Sequence, residues 1–257
     1  MRLYLKFLSV HIKSALTYRA SFLLSCLGQL LVTVNTFLGV KFLIDRFGTI
    51  AGYTLPQLAL CFGVILAATS LAECFARGLD AFSSVLSEAR FDRILVRPRG
   101  LLFQLLCEDM KLTMAPRLLQ AALMLGWSVS AGAVQWTAAK AAVLSLMILC
   151  GAALFFGLFL INAALCFFTL EGLEVMNIFT DGPREYGKYP FGIYGKGVLW
   201  ILTLLVPLAL IQYWPLQYLL DRGPGWYGLL PLLSLIFLIP CTALWRLGVR
   251  HYCSTGS

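Results

Sequence analysis

The residues with a spacing suited to chemistry begin at Gly182. Gly182-Pro183-Arg184-Glu185-Tyr186-Gly187-Lys188-Tyr189 fits the G-x-x-x-x-G-K pattern of a phosphate-binding loop, in which backbone amides cradle the phosphates of a nucleotide and the lysine reaches the outer ones. That chemistry also needs a Ser or Thr hydroxyl on magnesium directly after the lysine, and Tyr189 stands there. Pro183 and the absence of a preceding parallel-sheet strand remove the remaining context, so the stretch reads as a basic turn before a span. Carboxylates come next. Glu171, Glu174 and Asn177 recur at i, i+3, and Glu73 closes an apolar run. Proton relays use such acids, but within membrane spans. These fall at span ends, where an ion pair with Arg77 or Arg117 is the expected role, and no acid lies at mid-span. The two histidines, His11 and His251, stand near opposite ends. The eight cysteines (Cys26, Cys61, Cys74, Cys107, Cys150, Cys166, Cys241 and Cys253) are scattered with no C-x-x-C pair, which suits small buried hydrophobes rather than a metal site or disulfide framework. Neither catalysis nor a resident cofactor or metal is indicated.

A polar stripe remains. Ser25, Gln29, Thr33 and Thr36 share one face of an apolar helix, with Asn35 beside them, and Asn162 sits mid-way along another. Hydrocarbon offers such groups no hydrogen-bond partner, so they face protein or a water-filled cavity. Helix-helix contact is the commoner use of amides and small hydroxyls in spans, and lining of a pathway or subunit interface is the alternative. Ala153 and Gly157 form a small-xxx-small pair suited to close helix packing.

The elements that must position these residues are hydrophobic. Of 257 residues 60% are hydrophobic and only 12% charged, against roughly 25% charged in soluble domains. This describes an all-α integral membrane protein, a single domain with six transmembrane helices at about 21–42, 55–73, 117–134, 138–168, 197–211 and 226–245. Residues 1–20 alternate basic and apolar positions. Lys6, His11 and Lys13 interrupt any signal-peptide core, so the stretch is expected to be an amphipathic helix lying on lipid headgroups. Lys and Arg set the orientation. Arg2, Lys6, Lys13, Arg19, Arg77, Arg90, Arg93, Arg97, Arg99, Lys111, Arg117, Arg184, Lys188, Lys196, Arg246 and Arg250 fall on one side, and only Lys41, Arg46, Lys140 and Arg222 on the other. Both termini and the polar loops at 77–100 and 169–196 are therefore expected in the cytoplasm. The same asymmetry accounts for the net charge of +8 without a nucleic-acid partner.

The most charged stretch is 77–100. Leu79, Phe82, Val85, Leu86 and Ala89 recur at helical spacing, while Asp80, Ser83, Ser84, Ser87, Glu88 and Arg90 fill the other face. The pattern predicts a short amphipathic helix, ended by Arg97-Pro98-Arg99-Gly100, on one membrane face.

With these segments in place the chain resembles the membrane subunit of an ABC-2 type ATP-binding-cassette transporter, in the six-span branch often found as two unlike permeases beside one ATPase. The resemblance covers essentially the whole chain. It rests on the basic amino-terminal helix, Gly78-Leu79-Asp80 to Arg97-Pro98, Tyr189-Pro190-Phe191-Gly192-Ile193-Tyr194, and Val206-Pro207-Leu208-Ala209 to Trp214-Pro215-Leu216. It implies a multi-pass permease of the cell inner (plasma) membrane with no ATPase of its own, ATP being bound by a separate cytoplasmic subunit. It also implies a second permease subunit, identical or not, around one pathway, and a coupling helix between spans two and three. Here that helix is Leu79 to Arg93: Leu79, Phe82 and Leu86 insert into the ATPase or anchor the helix to its own spans, and Glu88, Arg90 and Arg93 meet the partner's polar groups. Export of an amphiphilic or hydrophobic compound is the implied activity. An ion-coupled secondary transporter and a non-transporting membrane scaffold are the alternatives.

Overall fold

The structure is a computed structural model and describes residues 19–88, 90–108, 114–132, 134–169 and 174–252, with Lys6, Ser9, Val10, Lys13, Ser14 and Thr17. The helix expected over 1–20 thus lies largely outside the described residues, as do Ala89, Lys111 and Glu171.

Regular structure among the described residues is helical, apart from one isolated bridge between Ile50 and Tyr53. The chain opens with α1 (Arg19–Phe47) and turns back into α2 (Leu55–Asp80). Pro56 sits in the first turn of α2, and the Thr54 amide donates to Gln57 Oε1 at 3.2 Å, satisfying a donor the helix leaves open. Three short helices follow: α3 (Phe82–Ser87), α4 (Arg90–Leu95) and α5 (Leu101–Glu108). Next come α6 (Ala115–Ser130), α7 (Ala138–Thr169), α8 (Glu174–Thr180), α9 (Pro183–Tyr186) and a 3-10 turn at Phe191–Tyr194. The last part holds α10 (Lys196–Leu204), α11 (Leu208–Ile211), α12 (Tyr213–Leu219), a 3-10 turn at Gly225–Leu229, α13 (Leu230–Ser234), a second 3-10 turn at Leu235–Phe237 and α14 (Leu238–His251).

Among the described residues four runs are long and apolar enough to cross a membrane: α1, Leu55–Ser87, α7 and Gly225–His251. They overlap the first, second, fourth and sixth expected spans. The second continues past residue 73 to the end of α3. The segment expected as a third span, α6, has 16 residues, or ~24 Å at 1.5 Å each, short of a ~30 Å hydrocarbon core. The segment expected as a fifth span is bent rather than straight. α10 and the α11–α12 run are bent by 88° to each other at Leu205–Pro207, where proline lacks an N–H and disfavours helical geometry at Val206. The expected loop at 212–225 instead contains α12.

Side-chain contacts put the helices in register. Ser128 donates to Pro56 O at 2.7 Å, Gly63 faces Leu125, and Arg117 reaches Glu73, so α6 runs antiparallel to α2. Gly151 of α7 is so close to Ala68 that an added Cβ would stand 2.8 Å from its methyl, and Asn162 reaches the Asp80 carbonyl, so α7 runs parallel to α2. Gly157 faces Leu238 and Cys241, and Gly248 faces Phe167, which sets α14 beside α7 through the small residue that the sequence marks for close packing. The upper end of this bundle carries Leu55 and Ala138, and the lower end carries Asp80, Thr169 and His251. α1 touches it chiefly near its upper end, where Phe37 meets Trp127 edge-on at 6.1 Å and Val40 and Ile44 are buried.

Upper-end loops are tied by polar contacts. Lys140, 6% exposed, pairs with Asp221 at 2.7 Å, Arg222 lies 5.0 Å over the Tyr53 ring and donates to Gly52 O, and Gln217 donates to the Tyr53 hydroxyl at 2.8 Å. Seven described cysteines are free, and Cys61, Cys107, Cys150, Cys166 and Cys241 are buried among apolar side chains.

Candidate functional sites

At the lower end the chain leaves α2 through a kink at Ala76 (φ −124°, ψ 16°) and a break at Ala81. The amphipathic helix expected over 79–93 is therefore corrected to the last turn of α2 plus two short helices. Serine chemistry accompanies the breaks: Ser84 Oγ donates to Ala81 O at 2.8 Å and Ser87 Oγ to Ser84 O at 3.3 Å, bonds that compete with the helical ladder. The apolar stripe survives the breaks. Leu79 and Phe82 are fully buried and Leu86 nearly so, all packed inside the chain.

Phe82 stands in a ring cluster. Its centroid lies 5.3 Å from Phe91, 5.0 Å from Phe167 and 5.6 Å from Trp245, and Phe91 meets Tyr252 at 4.9 Å. Tyr252 also donates to Asp92 Oδ1 at 2.9 Å. Such ring pairs contribute about 0.5–1.5 kcal/mol each beyond burial, so this cluster ties α3 and α4 firmly to α7 and α14. Beside it, Glu73, 1% exposed, accepts from Arg117 at 3.1 Å and from Arg77 at 3.4 Å, and Arg77 also pairs with Asp80. That is the ion pairing expected of Glu73.

The charged residues face the other way. Glu88 pairs with Arg90 at 3.0 Å and is exposed, Arg90 is partly exposed, and Arg93 projects into the open. Leu95 and Val96, at 41% and 83% exposed, flank the same surface. The amphipathic pattern missed these two, because they fall in the terminating turn before Arg97-Pro98.

The polar stripe of α1 divides. Ser25 is exposed, Gln29 and Thr36 are half-buried, and Thr33 is 4% exposed with its hydroxyl donating to Gln29 O at 3.1 Å. Asn162 is corrected from mid-span to the lower part of α7, where its Nδ2 lies 3.5 Å from the Asp80 carbonyl.

The largest correction concerns 169–196, expected wholly on the lower face. Gly187 lies against Ile65, half-way along α2, while Tyr189, Ile193 and Tyr194 lie with Leu43, Phe47, Thr49 and Ile50 around a cleft of about 600 Å³ at the upper end. The segment climbs the bundle because its polar backbone is satisfied from within. Gln212, fully buried, donates to Gly187 O at 2.7 Å and Tyr189 O at 3.2 Å and accepts from the Phe191 amide at 3.2 Å. The Gly182–Lys188 stretch is no phosphate cradle. It holds the one-turn helix α9, and a Cβ on Gly182 or Gly187 would collide with the carbonyl oxygens of Ile178 or Pro183. Glu185 lies on this one-turn helix, outside the long apolar helices, and pairs with Lys188.

A family model described as ABC-2 family transporter protein matches residues 30–256. The chain belongs to the ABC-2 transporter family. No curated protein and no solved structure matches it. ABC-2 permease domains are membrane transport components rather than catalytic subunits, and the helical runs make this one a multi-pass membrane protein.

Proposed function

We propose that this ABC-2 protein is the permease subunit of an ATP-driven exporter of an amphiphilic or hydrophobic compound, with its lower end in the cytoplasm of a cell whose plasma membrane it spans. A separate ATPase docks on α3 and α4. One observation carries the reading: the 82–96 segment is clamped to α7 and α14 by buried rings on one side and presents Glu88, Arg90, Arg93, Leu95 and Val96 on the other. A push on that surface is delivered to two membrane helices without an intervening flexible joint.

The orientation rests on the Lys/Arg asymmetry, which holds without Arg184, Lys188 and Lys196, because Arg77, Arg90, Arg93, Arg97, Arg99, Arg117, Arg246 and Arg250 remain toward the lower end. Six crossings follow when the short α6 is counted as the third, the fifth is made by 174–194, which climbs the bundle, and the bent α10–α12 pair is a re-entrant element from the outer face. A second permease subunit would cover α1, whose Leu24, Leu27, Leu31 and Phe42 are exposed.

The test is the double variant Glu88→Ala/Arg93→Ala. Co-purification of the cytosolic ATPase and substrate-stimulated hydrolysis should fall, by roughly tenfold or more where these charges are desolvated at the interface. Membrane insertion should not change. Wild-type values for both would refute docking on this surface, and gradient-driven flux without ATP would replace the reading with an ion-coupled carrier.

A further inference from the structure

We infer that the groove between α10 and α12 holds an anionic phospholipid, with its headgroup on Lys196 and an acyl chain against Leu199, Trp200 and Trp214. Lys196, Leu199, Trp200 and Thr203 recur at i, i+3, i+4 and i+7, so they share one face of α10, and with Trp214 of α12 they line a cavity of about 180 Å³. Sites for drug-sized ligands run to ~300–1,000 Å³, so this one takes a chain rather than a polycyclic body. The groove belongs to the upper end. Lys196 follows Tyr194, which borders the upper cleft, and Trp214 meets Tyr227 edge-on at 5.1 Å, beside Gly228, which faces Val143 near the start of α7. Trp226 joins Tyr227 at 4.5 Å. Tryptophan and tyrosine gather at the level of lipid headgroups, and Trp200, 63% exposed, stands open to lipid.

The polar groups of the wall select the charge. Thr203 Oγ1 donates to Leu199 O at 2.6 Å and accepts from Trp214 Nε1 at 3.3 Å, so this hydroxyl and this indole are already engaged. Lys196 differs: its ammonium has no partner among the described residues, and no acid lines the cavity. At the same end Lys140 is taken by Asp221, and Arg222 by the Tyr53 ring and Gly52 O. A molecule in the groove therefore meets one open ammonium beside apolar and indole walls. A phosphodiester monoanion on acyl chains matches both parts. A zwitterionic headgroup would bring its own cation against Lys196, and an uncharged one would leave the ammonium without an anion. The inference goes beyond the permease reading and needs only a multi-pass membrane protein, whichever face is cytoplasmic.

The test places the purified chain in phosphatidylcholine nanodiscs that also carry one of two lipids brominated on the acyl chains, phosphatidylglycerol or phosphatidylcholine. Bromine quenches an indole that it touches, so tryptophan fluorescence reads occupancy. Brominated phosphatidylglycerol should quench the wild type at a roughly fivefold lower mole fraction than brominated phosphatidylcholine, the advantage that one lysine gives an anionic headgroup. Lys196→Gln should abolish this preference and Lys196→Arg should keep it. Trp200→Phe, a change at an exposed ring, should remove part of the preferential quenching. Equal quenching of the wild type by the two lipids would overturn the inference. A preference that survives Lys196→Gln, or that is unchanged in Trp200→Phe, would place the anionic lipid elsewhere and equally overturn it. Displacement of the brominated phosphatidylglycerol by inorganic phosphate would show a bare anion site instead of a lipid site, with the same consequence. No arm of the test contains ATP or the ATPase, so the coupling variant and this groove fail separately.

Discussion

Glu73 offers a stringent test of how the lower end is held together. Its carboxylate is 1% exposed and sits between Arg117 on α6 at 3.1 Å and Arg77 on α2 at 3.4 Å. Arg117→Ala removes the closer guanidinium and leaves a buried anion undercompensated, a change that costs about 3–5 kcal/mol where no other charge can respond. Arg77 stays within reach, so the lower limit, about 3 kcal/mol, applies here. For a chain of this size each kcal/mol moves the melting temperature by about 2–4 °C, which predicts a drop of roughly 6–12 °C in micelles followed by circular dichroism. The companion variant Glu73→Met/Arg117→Met removes both charges at similar volume. Arg77 keeps Asp80 as a partner in that variant. Replacing both members of a buried pair by apolar side chains is often neutral or stabilising, so the double variant should regain at least half of the loss. A single variant that melts with the wild type would show that Glu73 is not desolvated. A double variant that melts below the single would show that the charges themselves, rather than their mutual compensation, stabilise the bundle.

The other expectations are simpler. Gln212→Leu leaves two carbonyls and one amide of the 187–191 segment without their side-chain partner, at about 1–3 kcal/mol per orphaned group, so protease cleavage within 182–195 should appear well before global unfolding; resistance equal to wild type would refute the clasp. Ser84→Cys should be silent to an impermeant thiol reagent applied to intact cells, while Gly48→Cys should react; the reverse pattern would invert the proposed orientation.

Hydropathy made the long helices legible because four of them are continuous apolar runs, and periodicity identified Leu79, Phe82 and Leu86 as one buried face across two helix breaks. Glu73 was legible as an ion-pair partner of Arg77 or Arg117 because a carboxylate at a span end needs one. The climb of 174–194 through the bundle was not. Its glycines, prolines and charges resemble a surface loop, and the group that internalises it, Gln212, lies more than twenty residues away in a stretch that itself resembles a loop. The bend at Pro207 was hidden for a related reason: Val206, Leu208 and Ala209 are all buried, so the hydropathy of a bent pair equals that of a straight span. Asn162 stands about three-quarters of the way along the 32-residue α7, so its place in the sequence already pointed to the lower part.

The breaks in the 79–93 segment bear on how force would travel. An unbroken amphipathic helix over 79–93 would rock as a lever on the surface and pass its motion to α2 alone. The observed breaks let Phe82 and Phe91 turn inward separately, and both reach Phe167 of α7, at 5.0 and 5.3 Å. Phe167 in turn touches Trp245 of α14 at 5.4 Å. Interiors packed at this density transmit displacement rather than absorb it. Within α2, the non-helical Ala76 separates the turn bearing Arg77 and Asp80 from the helix above, so that turn can follow α3 while the upper part stays with α6. Displacement of the 82–95 segment is thus directed into α7 and α14, and α7 is the helix whose Gly151 touches both Ala68 and Ile211 at the level of the Gln212 clasp. The Gln212 clasp and the lower-end surface carrying Glu88 and Arg93 are therefore linked through α7.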